Sequence, residues 1–97
     1  MTNESEEIVV EWDDSKDKSN IKKHGISFGT AALVFADENR IEYYDDAHSM
    51  TEDRYVVIGR VYGIIFVVYT MRNNAARLIS ARVATPTERD ICYGKYK

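Results

Sequence analysis

Three runs of β-branched and aromatic residues in the second half of the chain restrict its fold more than any other feature. They occupy residues 54–59, 64–71 and 77–83, and such residues are enriched in β-strands. Only short segments separate them, and the second of these contains Asn73-Asn74, a dipeptide that suits a tight hairpin turn. We therefore predict a meander of three antiparallel strands joined by two hairpins. The middle run is apolar on both faces, which places it at the centre of the sheet.

Side chains alternate between the two faces of a strand, and this rule assigns the last run. One face is predicted to carry Leu78, Ser80 and Arg82. The opposite face is predicted to carry Arg77, Ile79, Ala81 and Val83.

The first half of the chain adds short strands and two helices. Residues 8–12 and 40–44 suit short strands. A helix is expected up to His24, with Asp13 or Asp14 as its N-cap and Gly25 ending it. A second helix of about two turns is expected after Ser27, because apolar residues recur there at helical spacing: Phe28, Ala31, Ala32 and Phe35.

A strong local signal ends the chain. Thr85-Pro86-Thr87-Glu88 is a capping box with proline at the first helical position, so a third helix is predicted from Pro86 to about Tyr93. The fold class is therefore α+β: an antiparallel sheet with two N-terminal helices and one C-terminal helix, packed mainly on one face of the sheet. The length of 97 residues predicts one domain, 1–97, in which residues 1–7 form a flexible acidic tail.

The cellular setting is predicted from simple features. The single cysteine, Cys92, cannot form an internal disulfide, which favours a reducing cytoplasm. The N-terminus has no basic and apolar signal pattern, and no apolar run is long enough for a membrane helix. We expect a cytoplasmic protein with no membrane partner.

Positive charge is unevenly distributed. The net charge is −3, yet residues 72–97 hold six bases against Glu88 and Asp90. Four lysines between Lys16 and Lys23 face only Asp17. Such clusters are either solvated surfaces or a site for a polyanion such as RNA.

No cofactor or metal is predicted. The two histidines and the cysteine have no ligand spacing of the C-x-x-C or H-x-x-x-H kind. Nucleotide-binding glycine motifs and a nucleophile-elbow motif are also missing. The remaining candidates are cations and one acid–base group.

Arg82 is the strongest of these candidates. It either forms a structural ion pair with Glu88 or directs its planar guanidinium at a phosphate. Arg54 and Arg72 lie near the ends of neighbouring strands. Histidine is the residue type whose unperturbed pKa suits a general acid or base, so His24 is a candidate for either proton role, or it is simply a helix C-terminal residue. Cleaving RNA without metal needs such a base, an acid and cations for the phosphorane charge.

Several short motifs along the chain form a combined pattern. In the N-terminal half these are Trp12-Asp13 and Asn20-Ile21-Lys22-Lys23-His24-Gly25-Ile26-Ser27-Phe28, with Ala31 and Phe35. In the C-terminal half they are Arg54 with Gly59, Val68-Tyr69-Thr70-x-Arg72, Ile79-Ser80-Ala81-Arg82-x-Ala84-Thr85 and Glu88-Arg89-x-x-x-Tyr93. In this order, the motifs resemble the BrnT family of toxins, which often has a lysine where this chain has Val83.

The resemblance implies a RelE-like ribonuclease fold and the toxin of a type II toxin–antitoxin system. It implies a metal-independent endoribonuclease that inhibits translation and growth, with catalytic residues among Arg54, Arg72, Arg82, His24 and Glu88. RNA-binding residues would be Lys22, Lys23 and Arg77. The implied partners are RNA and a BrnA-like ribbon-helix-helix antitoxin, which would also mediate any contact with operator DNA. A homodimer or a 2:2 toxin–antitoxin complex is implied as well.

A second hypothesis remains beside the toxin hypothesis. Val83 removes one cation, and the sequence pI is about 5.3. These two features are compatible with a catalytically weak or inactive member that acts as an antitoxin-binding module in operon regulation. A third hypothesis, a purely structural module, is less compatible with the two basic segments.

Overall fold

A five-stranded sheet forms the framework of the protein. The computed structural model describes residues 8–94, except for the side chain of Tyr93. The strands are β1 (Val9–Glu11), β2 (Ile41–Tyr44), β3 (Tyr55–Val61), β4 (Gly63–Arg72) and β5 (Ala75–Val83), in the spatial order β1-β5-β4-β3-β2. The meander of β3, β4 and β5 is confirmed, and its longest and most apolar strand, β4, is central. The predicted acidic tail, residues 1–7, lies outside the described residues.

The prediction of a purely antiparallel sheet is wrong at one edge. β1 pairs in parallel with β5, with Val9 opposite Ala75 and Glu11 opposite Arg77. The other three pairings are antiparallel. A short hairpin would force two strands to pair in antiparallel. β1 and β5 are far apart in sequence and no hairpin joins them, so parallel pairing is open to them.

The predicted face assignment of β5 is also wrong, because the strand contains a β-bulge. Val68 lies opposite Ser80, whereas the next residue, Tyr69, lies opposite Leu78. Ile79 is therefore an extra residue, and the alternation changes phase there. As a result Leu78 and Ala81 belong to the same core cluster, and Arg82 faces the opposite side of the sheet from Leu78.

The helices cover the two faces unequally. α1 (Asp14–His24) and α2 (Phe28–Ala31), with the 3₁₀ helix Ala32–Ala36 that continues it, pack on the side of the larger core. α3 (Pro86–Tyr93) covers part of the other face, where Cys92 packs with Ile58 and Ile64. The prediction of helices mainly on one face therefore holds for α1 and α2, while α3 lies opposite them.

Three predicted helix caps are confirmed in detail. Asp13 accepts from the backbone N–H groups of Ser15 and Lys16 at the start of α1. Gly25 ends that helix with a left-handed φ of 75°. At the start of α3, Thr85 and Glu88 exchange the two hydrogen bonds of a capping box.

Asn20 joins α1 to the exposed edge of β5. Its side-chain amide donates to the carbonyl of Ala81 at 2.9 Å and accepts from the N–H of Ala81 at 3.1 Å. It also donates to the carbonyl of Ile26 at 2.8 Å, which fixes the loop after the helix. β1 pairs only with residues 75–77 of β5, so Asn20 supplies hydrogen bonds that a neighbouring strand would make further along the edge.

Replacing Asn20 with alanine should destabilise the fold by about 2–3 kcal/mol, because it leaves buried groups of Ala81 and Ile26 without partners. Asn20→Asp should be at least as damaging, since a carboxylate would face two carbonyl oxygens. Urea unfolding measures both. Ser19→Ala, at the exposed neighbouring position, is the matched control and should change stability by less than about 0.5 kcal/mol. Equal effects at positions 19 and 20 would contradict the assigned role.

Candidate nucleic-acid interface

One face of the sheet presents four arginines beside a buried or half-buried apolar strip. Strand register places Thr70 opposite Arg77, Val68 opposite Ser80, and Phe66 opposite Arg82. On the other side of β4, Val68 lies opposite Val56, which pairs with Tyr43 of β2. We call this surface the open face; it comprises Tyr43, Arg54, Val56, Phe66, Val68, Thr70, Arg72, Arg77, Ser80 and Arg82. α3 covers only the neighbouring part of the same sheet face, where Cys92 packs with Ile58 and Ile64.

Arg82 and Glu88 form a bidentate ion pair at the α3 end of the open face. The two guanidinium Nη atoms donate to the two carboxylate oxygens at 2.8 and 3.0 Å. The guanidinium also lies over the ring of Phe66, 4.0 Å from its centroid, an arrangement that adds a cation–π attraction. The predicted structural pair is thus present, and it holds the guanidinium in a fixed orientation on the sheet.

The pair alters the protonation of both partners. The hydrogen bond from Arg82 is the largest effect on Glu88 and lowers the pKa of that carboxyl, against the opposing effect of burial. The same hydrogen bond raises the pKa of Arg82. Glu88 therefore remains ionised over the physiological range, which suits a positioning role for Arg82 better than proton donation.

Two other arginines also have carboxylate partners. Arg77 donates to Glu11 of β1 at 3.0 Å, and Arg72 lies 3.6 Å from Glu52. These are partly exposed pairs, which exchange readily with solvent and with competing anions. The positive charge of the open face is therefore largely compensated in the free protein.

Arg54 differs from these three arginines. It directly precedes β3, and the register extended by one residue places it opposite Thr70. Its Nε is buried and has no hydrogen-bond partner, the one such side-chain atom in the part of the chain that the structure describes. A buried, unsatisfied donor costs free energy, and in a native fold it is explained by strain, by a functional role, or by a water molecule or ion that satisfies it.

The predicted helix residues lie at the edge of the open face rather than on it. Lys22, Lys23 and His24 form the last turn of α1 and are exposed. A small cavity of about 230 Å³ is lined by Lys23 and His24 together with Ile79 and Ser80 of β5. The structure thus brings Lys23 and His24 next to Ser80, whereas no contact joins them to Arg54 or Arg72.

Sequence reasoning missed the polar and aromatic residues between the arginines. Tyr43, Phe66 and Ser80 lie on the open face next to the ion pair. The pKa of Tyr43 is raised by burial and by the negative charges of Glu88 and Asp45, so it keeps its proton. The sequence did not distinguish Phe66 from its neighbours, because β4 is apolar on both faces. Arg82 was predicted from the sequence, whereas the position of Ser80 and Arg82 on the face opposite Leu78 required knowledge of the bulge.

Two further observations concern other kinds of site. Among residues 8–94, no group of three His, Cys, Asp or Glu side chains is arranged to hold a metal ion. No helix in this part of the chain is long and apolar enough to cross a membrane.

The architecture and the arginine-bearing sheet face define a small α+β protein with a candidate polyanion-binding surface. Residues 12–88 match the family described as "Ribonuclease toxin, BrnT, of type II toxin-antitoxin system". This match extends over most of the chain, and the protein belongs to the BrnT family.

A solved relative supports the same assignment. The 1.1 Å crystal structure of the Brucella abortus ribonuclease toxin BrnT superposes with a TM-score of 0.65 at 26% sequence identity. The match covers 81% of this chain and 99% of the Brucella chain. A search of curated proteins finds no significant match.

The ion pair yields a prediction about stability and pH. The pKa of Glu88 is lowered in the folded chain, so its ionised form stabilises the fold above the ordinary value of 4.5 and loses this effect as pH falls through the folded-state value. Glu88→Gln keeps the capping box and removes the charge. The variant should be less stable than the wild type by about 1 kcal/mol at pH 7.

Chemical unfolding at a series of pH values measures this difference. It should shrink as pH falls below 4.5 and through the lowered folded-state pKa, because the wild-type carboxyl is then progressively protonated. A difference that stays constant from pH 7 to pH 3 would show that charge on Glu88 contributes nothing. Glu38→Gln, at an exposed position away from the open face, serves as the control.

Proposed function

We propose that the protein is a toxin that cleaves RNA as a metal-independent, RelE-like endoribonuclease, and that the open face is its substrate site. Membership of a ribonuclease toxin family supports the activity. The arrangement of four arginines around apolar and aromatic residues supports the site, because RNA is bound through phosphates and stacked bases. In this proposal the substrate is RNA, and its cleavage inhibits translation and growth.

The buried Nε of Arg54 carries the proposal. This donor has no partner among the described residues, and a phosphate oxygen would satisfy it while the positive charge offsets the phosphate charge. Thr70 lies beside it, but its hydroxyl donates to the carbonyl of Asp53 at 2.6 Å. Arg54 is therefore the phosphate anchor that is already in place before RNA arrives.

Arg82 has a different role in the same site. Its guanidinium is oriented by the two hydrogen bonds to Glu88 and by the ring of Phe66, over which it lies. Fixed cationic donors stabilise charge that develops on phosphate oxygens in the transition state. We assign transition-state stabilisation to Arg82, orientation of Arg82 to Glu88, and substrate binding to Arg72 and Arg77.

The chemistry requires only the RNA and protein groups. The 2′-oxygen attacks the adjacent phosphorus and loses its proton to a base, the bond to the 5′-oxygen breaks, and that oxygen takes a proton. The products are a 2′,3′-cyclic phosphate and a 5′-hydroxyl. His24 is the candidate base at the Ser80 edge of the face, with Lys22 and Lys23 binding the strand there. Tyr43 keeps its proton and suits the role of acid.

Membership of a type II toxin–antitoxin family suggests the partner, the location and the stoichiometry in this proposal. A type II toxin has a protein antitoxin, for which we propose a BrnA-like ribbon-helix-helix protein that links the complex to operator DNA. The complex would be cytoplasmic and would contain two toxins and two antitoxins. The alternative is a weak or inactive member that serves as an antitoxin-binding module. The carboxylates paired with Arg72, Arg77 and Arg82 favour this alternative, since RNA must displace them.

Arg54→Ala should lower the initial rate of RNA cleavage about 100-fold, because one preorganised cationic donor is lost. Arg54→Lys should recover only part of the rate, since lysine keeps the charge without the planar donor group. Lys18→Ala removes an exposed lysine that does not line the Ser80 cavity, and should change the rate less than about twofold. The rates are measured with purified proteins and a single-stranded RNA of mixed sequence.

Controls in the same assay distinguish the proposed mechanism from a metal-dependent one and from the binding-module alternative. Cleavage should persist in EDTA and disappear with a 2′-O-methyl RNA, which lacks the attacking hydroxyl. Loss of cleavage in EDTA would contradict the metal-independent mechanism. A folded wild type that cleaves no RNA and causes no growth arrest on expression would favour the binding-module alternative.

A further inference from the structure

The Ser80 cavity combines two lysines and a histidine with two hydroxyl groups. It lies between α1 and the edge of β5, and its volume is about 230 Å³. The lining comprises Lys16, Ser19, Asn20, Lys23, His24, Ile79 and Ser80, so no described carboxylate is part of it. The volume is below the roughly 300–1,000 Å³ of pockets that hold a whole small molecule. The cavity therefore suits one charged group of a larger ligand.

The lysines of this cavity have no acidic partner, in contrast to the arginines of the open face. Arg72, Arg77 and Arg82 are each paired with a carboxylate. Within residues 8–94, the side chains of Lys16 and Lys23 take part in no ion pair or hydrogen bond. An anion can therefore bind to these two lysines without displacing a carboxylate from either of them.

Helical spacing places both lysines on the side of α1 that faces β5. Lys16 precedes Asn20 by four residues and Lys23 follows it by three, so the three side chains share one face of the helix. Asn20 fixes that face against β5 through its two hydrogen bonds to Ala81. The helix dipole favours cations in the last turn, such as Lys23, but disfavours a cation in the first turn, where Lys16 lies. Helix stability therefore does not account for Lys16 at this position.

The cavity and Arg82 are one strand repeat apart. Ser80 belongs both to the cavity and to the open face, and Arg82 is the next residue of β5 on that face. Residues two positions apart on a strand are separated by about 7 Å. This separation is comparable with that of successive phosphates in a single RNA strand, so one strand can contact both places.

We propose that the Ser80 cavity binds a second phosphate of the RNA, the one on the 5′ side of the attacking ribose. Lys16 and Lys23 supply the positive charge, and the hydroxyls of Ser19 and Ser80 are further donors. The ribose that joins this phosphate to the scissile one lies beside His24, the candidate base. This subsite rests on the proposed RNA-cleaving function.

The test compares three probes that differ only in phosphate charge. The first is a 2′-O-methyl trinucleotide, which contains two phosphates and cannot be cleaved. The other two carry a neutral methylphosphonate at the 5′ or at the 3′ linkage. Isothermal titration calorimetry with the full-length protein measures all three affinities.

Lys16→Gln should weaken binding of the intact trinucleotide about fivefold, because one phosphate contact is lost. It should not change the affinity of the 5′-methylphosphonate probe, since the charge that Lys16 contacts is already absent there. Lys18→Gln removes the same charge from the same helix outside the cavity, and should change every affinity less than about twofold. Glutamine and lysine have similar helix propensities, so both variants should fold, which urea unfolding verifies.

Several results would overturn the proposal. These are equal effects of Lys16→Gln and Lys18→Gln on the intact probe, or an equal loss for all three probes in Lys16→Gln. Coupling of Lys16 to the 3′ linkage would contradict the placement of the attacking ribose beside His24.

The two histidines distinguish RNA from a free anion as the ligand of the cavity. In NMR spectra, the ring signals of His24 should shift with the intact trinucleotide, while those of His48 should stay fixed. His48 is a suitable reference because it pairs with Asp45 and does not line the cavity. A response of His24 to inorganic phosphate but not to the trinucleotide would assign the cavity to a free anion and overturn the assignment to RNA.

Cleavage of unmodified RNA keeps this proposal separate from the ribonuclease function. A wild type that shows the coupling at Lys16 but cleaves no RNA would contradict only the ribonuclease function. A wild type that cleaves RNA through Arg54 but shows no coupling at Lys16 would contradict only the second phosphate site.

Discussion

The pairing of Asn20 with Ala81 is the interaction on which the arrangement of the site depends. β1 reaches only the first three residues of β5, so on this edge the remainder of that strand has no neighbouring strand in the described part of the chain. A buried amide side chain occupies the edge at Ala81 and thereby fixes α1 beside β5. Lys23 and His24 lie next to Ser80 because α1 is anchored there. The same amide donates to the carbonyl of Ile26 and fixes the loop after the helix.

The β-bulge at Ile79 is the second determinant of the site. Without the extra residue, Arg82 would point towards the core side on which Leu78 is buried. The change of phase places Arg82 over Phe66 and within reach of Glu88 on α3. A bulge that redirects one functional side chain without changing the strand order is a common device near binding sites.

Turns and helix caps that depend on a few adjacent residues were predicted accurately from the sequence. The hairpin at Asn73-Asn74, the N-cap at Asp13 and the capping box of α3 each follow from a few adjacent residues, and all three are present. One long-range feature was not accessible in this way. The parallel direction of β1 depends on a partner some 66 residues away, as in the pair Glu11–Arg77.

The candidate site shows the same division between local and distant information. Arg54, Arg72, Arg77 and Arg82 were predicted as cations, and the structure places them on one face. Their carboxylate partners come from β1, the loop before β3, and α3, so the compensation of charge could not be inferred except for Arg82 and Glu88, which are close in sequence. Tyr43 and Phe66 carried no motif, and only the sheet register brings them to the arginines.

The central claim is that RNA binds across the open face with Arg54 as its phosphate anchor. An NMR titration of the ¹⁵N-labelled protein with a 2′-O-methyl RNA, which binds without being cleaved, tests it most directly. The account predicts that the Nε–Hε signal of Arg54 shifts on binding, together with amide signals of Val68, Thr70 and Ser80, while Tyr62 and Leu33 are unaffected. Shifts confined to the turn of the β3–β4 hairpin or to α1, with the Arg54 signal unchanged, would contradict the account.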